Sequence, residues 1–280
     1  MIAQTESAKY DVRDYWENET CGTRNGSLES RQAFFESISQ TRYALEPFIP
    51  TFAKFDESHD LNVLEIGVGA GSDFQRWING GAVATGIDLT PSAIELTRER
   101  LQLSGADPDQ FHLQVGDAEN LHFDDDQFDV VYSWGVMHHS PNTQRCFEEA
   151  MRVLKPGGVV RAMIYHVRSW SCLMIWIWNA LLKGKPFKSV RQAVAENLES
   201  PGTKVYTLRE TNSMLSAVGF EDVSLTTRLG PGDVLSMKPT EKYQSTTAKL
   251  IWKIYPRWLI RLLGHRFGTF LLIEARKPTR

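Results

Sequence analysis

Residues 62–165 alternate between short apolar runs and stretches of helical spacing, and this rhythm restricts the fold more than any other feature of the chain. Apolar strands are expected at 62–66, 82–87, 111–115, 128–133 and 159–165. Helices are expected from Asp73, over 91–103 with Thr90 as N-cap, and over 143–154. Lys155-Pro156-Gly157-Gly158 should stop the last of these. The 128–133 run is apolar almost throughout, as suits a central parallel strand buried on both faces. Such strict alternation implies a parallel sheet with helices on both sides.

The first strand runs into VLEIGVGAGSD, where Gly67, Gly69 and Gly71 stand at alternate positions and Ser72-Asp73 read as a helix start. A strand passing into a helix through glycines is a nucleotide-binding loop. The spacing is not that of a dinucleotide fingerprint, which needs its third glycine three positions after the second. The loop holds no basic residue and no G-K-[ST], so it is not a phosphate-binding P-loop. With Glu65 behind it, it suits a ligand with a cationic or zwitterionic tail.

Five motifs then follow in order: VLEIGVGAG, GIDLTPSAIE, VGDAENLHF, FDVVYSWGVMHHSP and EEAMRVLKPGGVV. Together they resemble the class I S-adenosylmethionine-dependent methyltransferases, nearest to the small-molecule branch typified by quinone-biosynthesis enzymes. The resemblance implies a Rossmann-like, doubly wound α/β sheet with an antiparallel last strand, helical insertions, and S-adenosyl-L-methionine as cofactor with S-adenosyl-L-homocysteine as product. It covers about residues 62–165 and is weak outside them.

Carried onto this chain, the resemblance puts the cofactor over Glu65, Gly67, Gly69, Gly71, Asp88, Leu89, Asp117, Ala118 and Ser133. Glycines let the backbone approach the ligand without Cβ clashes. Asp88 can accept from both ribose hydroxyls, and Leu89 can flank the adenine. Asp117 can accept from the adenine amino group while Ala118 offers a backbone N–H. The competing view makes Asp88 and Asp117 simple helix or turn caps.

His138 and His139 follow the fourth strand, at the carboxyl end where ligands bind in open α/β sheets. Either can serve as a base if the acceptor is a hydroxyl or an acidic carbon, and His139 is preferred as the one nearer the cleft mouth. Equally, the pair can simply shape the loop. Trp134, Tyr165 and His166 are expected around the acceptor, with Tyr10 and Tyr15 if the N-terminal segment folds over the pocket.

The 280 residues suit a single domain: a helical segment over the cleft at 1–60, a cofactor-binding core at 61–166, a helical cap at 167–207, and core completion at 208–280. Residues 167–280 carry 18 basic against 8 acidic side chains, whereas residues 1–166 carry 13 against 26. Within a second insertion at about 229–266, the stretch KLIWKIYPRWLIRLLGHRF spaces Lys249, Lys253, Arg257 and Arg261 every fourth residue. It fits either peripheral membrane contact through 249–266 or a pocket lid with its charges in water. Cys21, Cys146 and Cys172 include no CxxC pair, so no metal site or disulfide framework is expected, and a reducing, cytoplasmic setting fits. The N-terminus does not read as a signal peptide.

The expected activity is methyl transfer to a small, hydrophobic acceptor, on oxygen or carbon, with a histidine base. The alternatives are a non-catalytic S-adenosylmethionine-binding module and an N-methyltransferase acting on a small amine. A nucleic-acid partner is not expected, because Ser133-Trp134-Gly135-Val136 replaces the [DN]-P-P-[YFW] tetrad of amino-group-targeting enzymes. The acceptor's identity and the oligomeric state stay open.

Overall fold

The computed structural model describes residues 2–18, 20, 23–236 and 255–279. Three helices precede the sheet: α1 (Ile2–Asn18), α2 (Arg31–Leu45) and α3 (Ile49–Ala53). The alternating segment then folds as β1 (Asn62–Ile66), α4 (Ser72–Asn79), β2 (Val83–Asp88), α5 (Pro91–Ser104), β3 (Phe111–Val115), β4 (Phe128–Trp134), α6 (Thr143–Val153) and β5 (Leu154–Tyr165). Helices α7 (Trp170–Asn179), α8 (Val190–Asn197) and α9 (Leu208–Val218) lead to β6 (Glu221–Arg228), α10 (Arg257–Leu263) and β7 (Phe270–Arg276).

The seven strands lie in the order β3-β2-β1-β4-β5-β7-β6. Strands β1 to β5 pair in parallel, and β7 inserts antiparallel between β5 and β6. This is the doubly wound sheet with an antiparallel last strand that the motifs implied. Strand geometry sends alternate residues to opposite faces. Leu64, Ile66 and Val131 therefore join Phe147, Val160 and Ile273 on one side, and Val63, Val130 and Tyr132 join Phe74, Trp77 and Leu101 on the other. Each fully buried ring or branched chain among them contributes roughly 1.5–3 kcal/mol.

Two local expectations change. Helix α6 ends at Val153, just before the expected stop, but Lys155–Gly158 are not a turn ahead of the strand. They belong to β5, which begins at Leu154 opposite Phe128 and resumes register at Val159 opposite Val130. Four residues thus bulge out opposite Asp129, with Gly157 at φ +78°. Thr90 occupies the N-cap position of α5 with an extended backbone, but its side chain caps nothing there. Its hydroxyl instead donates to Asp88, 2.8 Å away. No helix among the described residues is long and apolar enough to cross a membrane.

Candidate active site

A cavity of about 360 Å³ opens at the carboxyl ends of β1, β2 and β4. Its floor is the β1–α4 loop, Gly67 to Ala70. Gly67 stands at φ +84°, and a Cβ there would come 2.2 Å from Val136. Only glycine allows the loop and the β4–α6 loop to approach this closely. Helix α5 fixes the loop from behind: Thr97 donates to the Gly69 carbonyl (3.0 Å) and Arg100 to the Ala70 carbonyl (2.7 Å). Arg100 also donates to the Phe35 carbonyl, which ties α2 to the same loop.

Three acids shape the polar end. Asp88 lines the cavity and accepts from the Gly69 N–H (3.1 Å) and from the Thr90 N–H (3.0 Å). Burial pushes its carboxyl above the ordinary range, partly offset by these bonds. Glu65, also lining the cavity, has a buried Oε2 with no hydrogen-bond partner, and burial holds its carboxyl well above the usual range. An orphaned buried carboxylate oxygen facing a cavity calls for a donor from a ligand. Asp117 accepts from Lys9 of α1 at 2.6 Å, and Ala118 lies beside it on the wall.

Apolar side chains also line the cavity. Val12 and Trp16 of α1, Ile38 and Leu45 of α2, and Trp134 and Val136 line it, and Pro231 closes one side. Arg42 reaches from α2 to Asp73, with Nε 2.9 Å from Oδ1, and Tyr132 donates to Asp73 Oδ2 at 2.8 Å. Glu46, at the end of α2, lines the cavity with Oε2 buried and without a hydrogen bond. Burial raises its carboxyl to about 7, against the pull of Arg42 and, more weakly, Trp134.

The sequence-derived residues divide by position. Glu65, Gly67, Gly69, Asp88, Leu89, Asp117, Ala118, Trp134 and His139 all line this cavity. Gly71 does not line it; at φ +74° it turns the chain into α4. Ser133 is wholly buried and donates to the Ile66 carbonyl. His138 is sealed beneath His139 and Tyr165, with ring centroids 4.2 and 4.1 Å away. Tyr165 donates to Glu199, and His166 lies against the Gly268 carbonyl, neither on the cavity wall.

Tyr10 is 65% exposed, on the face of α1 away from the cavity. Val12 and Trp16, one turn apart, point inward instead, and Tyr15 packs against Trp16 from outside the lining. Sequence reasoning missed Lys9, Val12, Trp16, Arg42 and Glu46. The i, i+4 pair Val12 and Trp16 was the available signal for the inward face of α1. None of the lining residues comes from 167–207; that segment meets the site from behind His139, through Glu199, Ser200 and Thr203.

If the ribose bonds to Asp88, Asp88→Ala should weaken S-adenosylmethionine binding by roughly 1–3 kcal/mol, the cost of leaving donors unpaired. Calorimetry that finds wild-type affinity in this variant removes Asp88 from the binding site.

Residues 64–162 match the family model described as a methyltransferase domain. The phthiotriol/phenolphthiotriol dimycocerosates methyltransferase of Mycobacterium tuberculosis is 36% identical over 144 residues, half of each chain. A sterol 4-C-methyltransferase of Caenorhabditis elegans is 31% identical over 105 residues, 38% of this chain and 31% of the relative. The chain thus spans about half the length of the first of these relatives, and less of the second. Among solved structures, Haemonchus contortus phosphoethanolamine N-methyltransferase 2 in complex with S-adenosyl-L-methionine aligns with a TM-score of 0.56 at 19% identity, covering 98% of this chain and 57% of the other. The [4+2]-cyclase SpnF aligns with a TM-score of 0.58 at 15% identity, covering 99% and 96%. At such identities these two likenesses are of fold alone. Residues 64–162 thus match a methyltransferase domain, and the sheet order and the motifs agree with that match.

Proposed function

We propose that this chain transfers the methyl group of S-adenosylmethionine to a small, apolar acceptor, on oxygen or carbon. One observation carries the reading: a single cavity is lined both by the acid-rimmed glycine loop and by the apolar side chains of Trp16, Ile38, Leu45 and Trp134. Its volume of about 360 Å³ falls in the range of small-molecule sites. Gly67 to Ala70, Glu65, Asp88, Leu89 and Asp117 would hold the cofactor, which supplies an electrophilic methyl group on a sulfonium. The relatives named for phthiotriol dimycocerosates and for carbon 4 of a sterol support an apolar acceptor.

Much of the rate in such a displacement comes from alignment, which the cavity walls would provide. A base is needed only where the acceptor atom must lose a proton. The histidines are badly placed for it. His138 does not reach the cavity, and both ring nitrogens of His139 face protein groups: Ser200 and Thr203 on one side, Glu199 on the other. Glu46 is the better candidate, as a cavity carboxylate whose Oε2 makes no hydrogen bond and has Arg42 Nη1 3.9 Å away.

Glu46 must be ionised to accept a proton, so turnover should rise with pH through an apparent pKa near 7. Glu46→Gln should lower turnover ~10²–10⁴-fold and abolish that limb. The limb surviving in Glu46→Gln and vanishing in His139→Gln would return the role to His139. The same raised carboxyl makes folding less favourable as pH climbs from about 4 towards 7, because the unfolded chain ionises first. The function itself is tested by incubating the protein with methyl-labelled S-adenosylmethionine and a panel of apolar alcohols, phenols and amines. Label in an alcohol or phenol product supports the reading. Label only in amines supports the N-methyltransferase alternative, and cofactor binding with no transfer at all supports a binding module.

Peripheral contact with an anionic lipid surface belongs to the same proposal. Trp258 and Leu262 of α10 are 71% and 75% exposed, and Arg257, Arg261 and Arg266 lie among them in sequence. Residues 249–254, the first part of the basic stretch, lie outside the described residues.

A further inference from the structure

His138, His139 and Glu199 each bring one ligand-capable atom to within 4.8 Å of the others. We propose that these three residues bind a divalent transition-metal ion, of which Zn²⁺ is the best match. His138 is fully buried, and neither of its ring nitrogens has a hydrogen-bond partner. Two orphaned polar atoms at zero exposure are costly unless something else meets them.

The network around His139 leads to the same place. The Thr203 hydroxyl donates its proton to the Ser200 carbonyl at 2.7 Å. Its oxygen, 3.0 Å from His139 Nδ1, is therefore an acceptor, which assigns the ring proton to Nδ1. Nε2 is buried and without a hydrogen bond, yet it stands 3.2 Å from Glu199 Oε2. In the neutral ring the Nε2 lone pair faces a carboxylate, and a metal ion shared between them makes the contact favourable.

Supporting groups are already in place. The Tyr165 hydroxyl donates to both carboxylate oxygens of Glu199, at 2.9 and 3.0 Å, and Ser200 Oγ lies 2.8 Å from His139 Nδ1. Such partners orient ligands around a metal. Two imidazoles and a carboxylate suit Zn²⁺ better than Mg²⁺ or Ca²⁺, which prefer all-oxygen sets. Zinc–ligand bonds of about 2.0–2.2 Å require ligand separations near ~3.4 Å, so the trio must tighten. Glu199 has the freedom to do so, since its side chain is 34% exposed and gives an entry path and a coordination position for water. A bound ion would join the β4–α6 loop to residues 199–203 and pin the His139 ring against Trp16, whose centroid is 5.3 Å away. It would also occupy the lone pair that a His139 base needs.

The test is direct titration of the chelator-treated 280-residue chain with Zn²⁺, without cofactor or acceptor, so its outcome is independent of the methyl-transfer reading. We expect one equivalent to bind per chain, Glu199→Gln and His138→Gln each to weaken binding at least ~100-fold, and Tyr165→Phe to weaken it about 10-fold. Glu199→Gln changes a partly exposed side chain, so it serves if His138→Gln fails to fold. No stoichiometric binding by the folded wild type, or equal binding by Glu199→Gln, overturns the proposal.

Discussion

Asp73→Ala should lower stability by about 3 kcal/mol in urea denaturation. Asp73 is 3% exposed and accepts from both Arg42 and the Tyr43 and Tyr132 hydroxyls. Removing one partner of a buried ion pair typically costs about 3–5 kcal/mol, because the remaining charge stays buried and uncompensated. The low end applies here, since Glu46 lies 3.9 Å from Arg42 and the Arg42 side chain keeps 22% exposure. Asp73 also joins α2 to the start of α4, so its loss should loosen the cavity wall that α2 supplies. Asp73→Asn, which keeps the shape and loses the charge, should fall between the two proteins. Wild-type stability in Asp73→Ala would show that this network holds nothing together.

Gly67→Ala should weaken S-adenosylmethionine binding at least roughly 100-fold while far-ultraviolet circular dichroism stays that of the wild type. Two costs add. A side chain at φ +84° costs roughly 1–2 kcal/mol in the left-handed region. The new Cβ would also lie 2.2 Å from Val136 Cγ2, and forced overpacking costs roughly 1–3 kcal/mol. The sum is met by moving the loop, which displaces the floor of the cleft. Adding Val136→Ala should recover the steric part and leave the backbone part. Unchanged affinity in Gly67→Ala, or no recovery in the double variant, would contradict this account of the loop.

The inner strands were legible because burial on both faces leaves apolar runs that periodicity detects, and the edge strand β3 because it is half buried and alternates. The runs at 62–66 and 111–115 match β1 and β3 residue for residue. Strand β5 was read short because Pro156 and Gly157 look like a turn, and a bulge uses the same residues. On α1, tyrosines were chosen as aromatic pocket candidates, but helical rotation turns Tyr10 outward and Trp16 inward. Contacts distant in sequence left no local signal. Arg42 meets Asp73 across 31 positions, and Glu199 and Thr203 meet His139 across 60 or more. No metal site was expected from the cysteine spacing, and for the same reason the histidines gave no sign of one: its proposed carboxylate comes from the insertion, long after them.

The central claim, a cofactor held over the glycine loop, is tested most directly by a crystal structure of the chain with S-adenosylhomocysteine at saturating concentration. We expect density above Gly67 to Ala70, with the ribose in hydrogen-bond reach of Asp88 and the adenine beside Ala118 and Leu89. Density elsewhere, or a well-ordered cleft that stays empty at saturation, would contradict the account.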